Sequence, residues 1–142
     1  APERFKALTK NKEYLMIDHT GVIVSDYKKS KLFYENALKA IGYKMLIEVP
    51  TQYTDGAGVC GFGEPPKPDF WISEGTPNKP HVHVAFRVDS QKKVDEFYQA
   101  AIAAGGRDNG KPGPRPHYHE KYYGAFVLDP DGHNIEAVFH GI

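Results

Sequence analysis

The sequence repeats itself. Residues 19–42, moved forward by 64, lie without a gap on residues 83–106, pairing His19 with His83, Val24 with Val88 and Lys28-Lys29 with Lys92-Lys93. Phe33-Tyr34 then meets Phe97-Tyr98, Ala37 meets Ala101, Ala40 meets Ala104 and Gly42 meets Gly106, which makes 9 identities in 24 positions. A duplicated unit constrains the fold more than composition does, because each copy must adopt the same supersecondary structure and bury its apolar face against the other.

Each copy begins as a strand. Ile17, His19, Gly21 and Ile23 alternate with Asp18, Thr20, Val22 and Val24, a β-rich run suited to a sheet covered on both faces. Ser25-Asp26 then caps a helix carrying Leu32, Phe33, Leu38 and Ile41 near helical spacing, and Gly42 closes it. In the second copy Val94, Phe97, Ala101 and Ile102 play the same part before Gly105-Gly106. Short β-rich runs follow at 43–49, 58–62 and 70–73, and at 126–128 and 135–139, the latter pair preceded by a Pro-rich loop at 111–116. The expected fold class is α+β, with two βαβββ modules forming a curved mixed sheet around a central cleft. Module one runs over about 14–75 and module two over about 80–140, joined by Thr76-Pro77-Asn78-Lys79-Pro80 within a single domain spanning 1–142. Residues 1–13 read as a polar lead-in with no repeat partner.

Composition narrows the partners. Lys plus Arg and Asp plus Glu number 18 each, so no global field draws in nucleic acid or an anionic membrane, and a small molecule is the expected partner. No apolar run approaches the roughly 20 residues of a membrane span, and the first residues lack the apolar segment of a secretory signal; a cytoplasmic location is the expectation. With Cys60 as the single cysteine, neither a disulfide framework nor a thiolate cluster is available, and any metal must use imidazole and carboxylate ligands.

His19 and His83 occupy equivalent first-strand positions, so a pseudo-twofold packing of the copies would turn them toward one another. Imidazole serves Zn, Fe, Ni and Mn alike. Glu136 lies between Ile135 and Ala137 in an otherwise apolar strand, where a carboxylate is costly unless paired with a cation or bound to a metal; Arg87 and Lys44 are alternative partners. His81, two residues before His83, is a rival ligand that the repeat register passes over. His133, in a turn, and His140, near the C-terminus, read as solvated.

These residues resemble the vicinal oxygen chelate superfamily, which includes glyoxalase I, extradiol dioxygenases, fosfomycin-resistance proteins, methylmalonyl-CoA epimerase and bleomycin-binding proteins. The resemblance is carried by Asp18-His19-Thr20-Gly21-Val22, Ser30, Phe33-Tyr34, Gly42-Tyr43, His83-Val84-Ala85-Phe86 and the run from Asp129 to Glu136. It implies a divalent metal ion (Zn, Ni, Mn or Fe) held by His19, His83 and Glu136, chelating two neighbouring oxygens of a small substrate by Lewis-acid chemistry. A metal-dependent lyase or isomerase of the glyoxalase type is the leading expectation. An Fe(II) extradiol-type dioxygenase, a fosfomycin-resistance-like transferase and a metal-free drug- or metabolite-binding protein are the alternatives. The family also implies that modules pair within one chain or swap between two, so a homodimer is one expected form.

Glyoxalase I carries a fourth ligand on the last strand of its first module, and the 64-residue shift sets apolar Ile72 there. The dioxygenase signature calls for a Tyr where this chain has Phe126. In the loop from Pro116 to Tyr123, His117, His119 and Tyr123 are the candidate proton-transfer groups and Tyr122 a candidate substrate contact, with Trp71 and Phe62 as further candidates for lining the cleft.

Overall fold

A computed structural model describes residues 16–142; the polar lead-in at 1–13 lies outside the described residues. The duplicated βαβββ unit is present as expected. Module one contains β1 (Thr20–Val24), α1 (Tyr27–Lys39), β2 (Lys44–Glu48), a 3-10 turn (Thr51–Tyr53), β3 (Val59–Gly63) and β4 (Phe70–Glu74). Module two contains β5 (His83–Arg87), α2 (Gln91–Ala103), β6 (Arg107–Pro114), β7 (Tyr123–Leu128) and β8 (Asn134–Phe139).

Each module forms its own four-stranded mixed sheet, ordered β1-β4-β3-β2 and β5-β8-β7-β6, in which the first strand pairs in parallel with the last. The helices start where short polar side chains satisfy free amides: Asp26 Oδ1 accepts the Lys29 N–H at 3.1 Å, and Ser90 Oγ accepts the Lys93 N–H at 3.2 Å. They end before Gly42 (φ 88°) and Gly105 (φ 101°), where the left-handed backbone favours glycine. In α1 the buried stripe is Ser30, Phe33, Tyr34, Ala37 and Leu38. Leu32, expected on that stripe, is instead 61% exposed, since a 100° step per residue turns it off the face that Phe33 and Ala37 share.

Strand β6 also departs from expectation. It takes in residues 111–114 of the Pro-rich stretch read as a loop, and it pairs with β7 through two register shifts. Proline tolerates this because β6 is an edge strand, where a missing N–H costs no ladder bond on the open side.

Both sheets turn the same kind of face inward. Val22, Val24, Cys60, Phe62, Phe70 and Ile72 from the first sheet join Phe86, Ala125, Val127, Ile135 and Ala137 from the second, with the helices, in one contiguous core. Phe86 of β5 packs edge-on against Phe70 (centroids 5.3 Å apart) and against Tyr43 (5.5 Å). Polar ties reinforce the junction: Tyr34 donates its hydroxyl to Asp129 Oδ2 at 2.5 Å, and Ser25 N–H and Oγ–H both reach the Asp131 carboxylate. Because strand side chains alternate, the opposite face of each sheet looks away from this shared core.

His133, expected in solvent, is fully buried in the junction. Its Nδ1 accepts the Val82 N–H at 3.1 Å, which puts the ring proton on Nε2, and that nitrogen donates to the Ile23 carbonyl at 3.0 Å. One imidazole thus stitches the turn before β8 to both modules. No helix among the described residues is long and apolar enough to cross a membrane.

Candidate metal centre

The outward face of the second sheet carries His83 on β5, Glu136 on β8, Phe126 on β7 and, from the β6 hairpin, Arg115. Registers set them in a row: Ala85 pairs with Glu136 and Glu136 with Phe126. His83 Nε2 lies 2.9 Å from Glu136 Oε1. The carboxylate side chain is only 2% exposed, while the His83 side chain is half exposed, so the pair meets solvent through the imidazole. Tyr122 donates its hydroxyl to the other carboxylate oxygen, Oε2. The Tyr122 ring fits there because Gly124 leaves room beneath it, a Cβ at that position coming within 3.1 Å of Tyr122 and 3.3 Å of Glu136 Oε2. Burial first, and then the hydrogen bond to Glu136, push the Tyr122 hydroxyl well above the usual tyrosine pKa and keep it a donor.

Strand alternation sorts the other candidates in this loop. Tyr123 points to the helix side, where its hydroxyl donates to Asp95 Oδ1 of α2 at 2.7 Å, so it does not meet Glu136. His117 is exposed and its ring lies tilted against Tyr118, centroids 4.3 Å apart. His119 lies beside the Tyr122 ring at 5.4 Å and sets its Nε2 2.9 Å from His140 Nδ1. Because His119 Nδ1 accepts the Lys121 N–H, the neutral ring carries its proton on Nε2 and donates it to His140. His140 is therefore part of this cluster rather than a free surface residue. The sequence signal for it was available, since positions 136, 138 and 140 share one face of an extended strand. His81 packs edge-on against His133 at 5.6 Å and takes no part.

His19 sits on the other sheet. It immediately precedes β1, its side chain is 61% exposed, and its Nδ1 is 2.8 Å from Asp18 Oδ1. This engages Nδ1 and leaves Nε2 for another partner, the arrangement in which a carboxylate orients an imidazole toward a ligand. Asp18 in turn meets Lys67 Nζ at 3.2 Å, and the two contacts, His19 foremost, hold the Asp18 carboxyl below its usual pKa. The residues around His19 line a cavity of about 550 Å³ with Lys67, Pro68, Trp71 and Ser73.

The structure thus brings His83 and Glu136 together and keeps His19 apart from them. Among the described residues no three His, Cys, Asp or Glu side chains gather closely enough to hold one ion. The reason is the packing of the modules: helix faces meet in the core, and the two outward faces are not turned onto each other within one chain. Phe62 is fully buried on the helix side against Tyr34 and Phe70, not on the cleft face. Trp71 is on that face, over Gly61, where a Cβ would come within 3.0 Å of its ring.

The equivalent of Glu136 in module one also differs from expectation. Gly21 and Ala85 are 64 residues apart, but their partners Trp71 and Glu136 are 65 apart. The second module has gained one residue before its last two strands, so Trp71, not Ile72, occupies the corresponding position. A one-residue slip reverses which side chains face outward, and Ile72 goes to the core.

Comparison with known proteins agrees with this architecture. The profile of the family described as Glyoxalase/Bleomycin resistance protein/Dioxygenase superfamily matches residues 16–137. A glyoxalase/bleomycin resistance protein from Albidiferax ferrireducens T118 is 27% identical, with 88% of this chain and 99% of that one covered and a TM-score of 0.70. Two others share the fold at lower identity. A glyoxalase I mutant from Zea mays is 23% identical with a TM-score of 0.66, covering 86% of this chain and 46% of that one. A mutant of the fosfomycin resistance protein FosX from Listeria monocytogenes, complexed with Mn(II) and 1S,2S-dihydroxypropylphosphonic acid, is 21% identical with a TM-score of 0.62, covering 92% and 93%. No curated protein matches the chain. A duplicated βαβββ chain with this profile match belongs to the glyoxalase/bleomycin resistance protein/dioxygenase superfamily.

Proposed function

We propose that the chain is a metal-dependent enzyme of the glyoxalase type, a lyase or isomerase acting on a small molecule with two neighbouring oxygens, and that its metal site is shared between two copies. The observation that carries this reading is the Glu136 carboxylate, 2% exposed in an apolar strand, with His83 Nε2 at 2.9 Å from one oxygen and the Tyr122 hydroxyl on the other. A buried carboxylate facing an imidazole nitrogen at this separation is two-thirds of a His₂-carboxylate donor set. The third donor is His19 of a second copy, whose Asp18 contact engages Nδ1 and leaves Nε2 for the ion. The donors suit Zn, Ni, Mn or Fe(II). When bound, the ion supplies Lewis acidity to the paired substrate oxygens.

The chain's own residues do the rest. Tyr122 fixes the carboxylate by donating to Oε2, and the His119–His140 pair holds a proton at the edge of the same face, within reach of exchange with solvent. Trp71 and Lys67, on the face that carries His19, would close over the substrate from the second copy.

Complementation tests the shared site. His19→Ala and His83→Ala should each bind no metal at the site as homodimers. After unfolding and refolding together they should regain about a quarter of the wild-type sites, because half the dimers are mixed and each mixed dimer has one intact site. Recovery of no metal binding or turnover in the mixture would defeat the shared site. Absence of stoichiometric divalent metal in the wild-type protein would defeat the metal reading itself.

A ring-cleaving dioxygenase is the second reading, favoured by one contact: Tyr122 brings to Glu136 the acid/base hydroxyl that Phe126 lacks. Oxygen uptake with catechols and Fe(II) decides between the two.

A further inference from the structure

Lys67, on the outward face of the first module, is neutralised by Asp18 at 3.2 Å, as Lys31 of α1 is by Glu48 at 3.0 Å. Arg115 is not. Its Nη1 donates to the carbonyls of Gly113 (2.8 Å) and Pro114 (3.4 Å), and its Nη2 to the carbonyl of Lys111 (2.7 Å). Among the described residues no carboxylate pairs with it. Three contacts to neutral acceptors aim the guanidinium without cancelling its charge, and they leave Nε–H and at least one further N–H of the five donors free.

The hairpin is shaped for this. The half-buried guanidinium lies over the Phe126 ring, 5.6 Å from its centroid. Gly110 and Gly113 leave the space it fills: a Cβ on either would come within 3.3 Å of an Arg115 nitrogen. Phe126 is paired directly with Glu136 across β7 and β8, and its ring is 6.1 Å from that of His83. The charge of Arg115 also reaches the Tyr122 hydroxyl that holds Glu136. A planar cation is therefore fixed one strand away from the His83–Glu136 pair, on the same face.

We propose that Arg115 is an anion-recognition residue, and that the substrate carries a terminal oxyanion group, a carboxylate or a phosphate, in addition to the oxygens that approach His83 and Glu136. The second half of this statement rests on the function proposed above; the first half does not. A guanidinium fork matches both groups through paired N–H···O bonds, whereas a point-charge lysine would not fix their orientation. Binding there removes the cost of an uncompensated half-buried charge, and the aromatic floor keeps water from one side of the contact.

The test is titration of the full chain with inorganic phosphate and, separately, with acetate, by calorimetry in the presence of a chelator so that no metal contributes. Wild type, Arg115→Gln, Arg115→Lys and Lys92→Gln are compared. Gln keeps a donor for the hairpin carbonyls and loses the charge; Lys keeps the charge and loses the fork. Expected is saturable binding of at least one anion, weakened about tenfold or more by Arg115→Gln, less by Arg115→Lys, and unchanged by Lys92→Gln, which removes an exposed cation on α2. The anion that binds more tightly names the group. No saturable binding of either anion, or equal binding in Arg115→Gln with an unchanged melting temperature, overturns the proposal. Metal uptake by the wild type is measured in parallel without chelator, so that loss of the metal reading leaves the anion result standing, and the reverse.

Discussion

Trp71 holds in the first module the place that Glu136 holds in the second, for each sits opposite the third residue of its repeat counted from His19 or His83. The duplicated fold therefore has a carboxylate at one of two equivalent positions and an indole at the other. Trp71→Glu should set a carboxylate beside His19 as Glu136 stands beside His83, and tighten divalent metal binding by at least the roughly tenfold that a supporting ligand contact is worth. Competition against a colorimetric chelator measures this. An unchanged affinity would mean that Trp71 does not border the ion.

Tyr122 reaches Glu136 through its hydroxyl. Tyr122→Phe keeps the ring over Gly124 and removes the donor, so the fold should persist while metal affinity or turnover falls about 10–100-fold. Circular dichroism and metal titration of the same sample separate the two effects. Loss of the fold with affinity intact would assign Tyr122 a packing role alone.

The buried His133 should matter to stability and not to chemistry. His133→Ala removes two hydrogen bonds and orphans the Val82 N–H and the Ile23 carbonyl, at a cost of about 2–4 kcal/mol. Urea denaturation measures this. A loss below about 0.5 kcal/mol, the usual range for surface positions, would show that water replaces the imidazole without penalty.

Alkaline pH should weaken the fold through Tyr34. Its hydroxyl is fully buried on Asp129, and burial followed by that negative charge raises its pKa well above 10. A group whose folded pKa is raised contributes its full stability below the unfolded value and loses it as pH climbs toward the folded one. Stability should then fall from pH 10 upward by about 1.4 kcal/mol per unit from this residue. Tyr34→Phe should flatten that slope; denaturant titrations at pH 8 and at pH 10.5 to 11 decide.

The sequence carried the modules, the helix caps and the His83–Glu136 pair because each left a local mark: a repeated histidine, a polar residue before a helix, a carboxylate in an apolar strand. Trp71 was legible as a cleft candidate, but its equivalence to Glu136 was hidden by one residue gained between α2 and β7, which a constant 64-residue shift cannot register and which strand alternation turns into a change of face. His133 was misread because a turn histidine is normally wet; only the packing of one module against the other buries it. The separation of His19 from His83 depends on which faces the modules press together, a choice between two arrangements that use the same amphipathic pattern.

That choice has a kinetic consequence. With helix faces inward and both donor faces outward, one chain carries two unlike half sites, and a symmetric pair of chains completes two sites at once or none. On the proposed shared site, turnover per chain would fall as the protein is diluted below the dissociation constant of the dimer and recover on concentration, so catalytic output would report how much of the protein a cell has made.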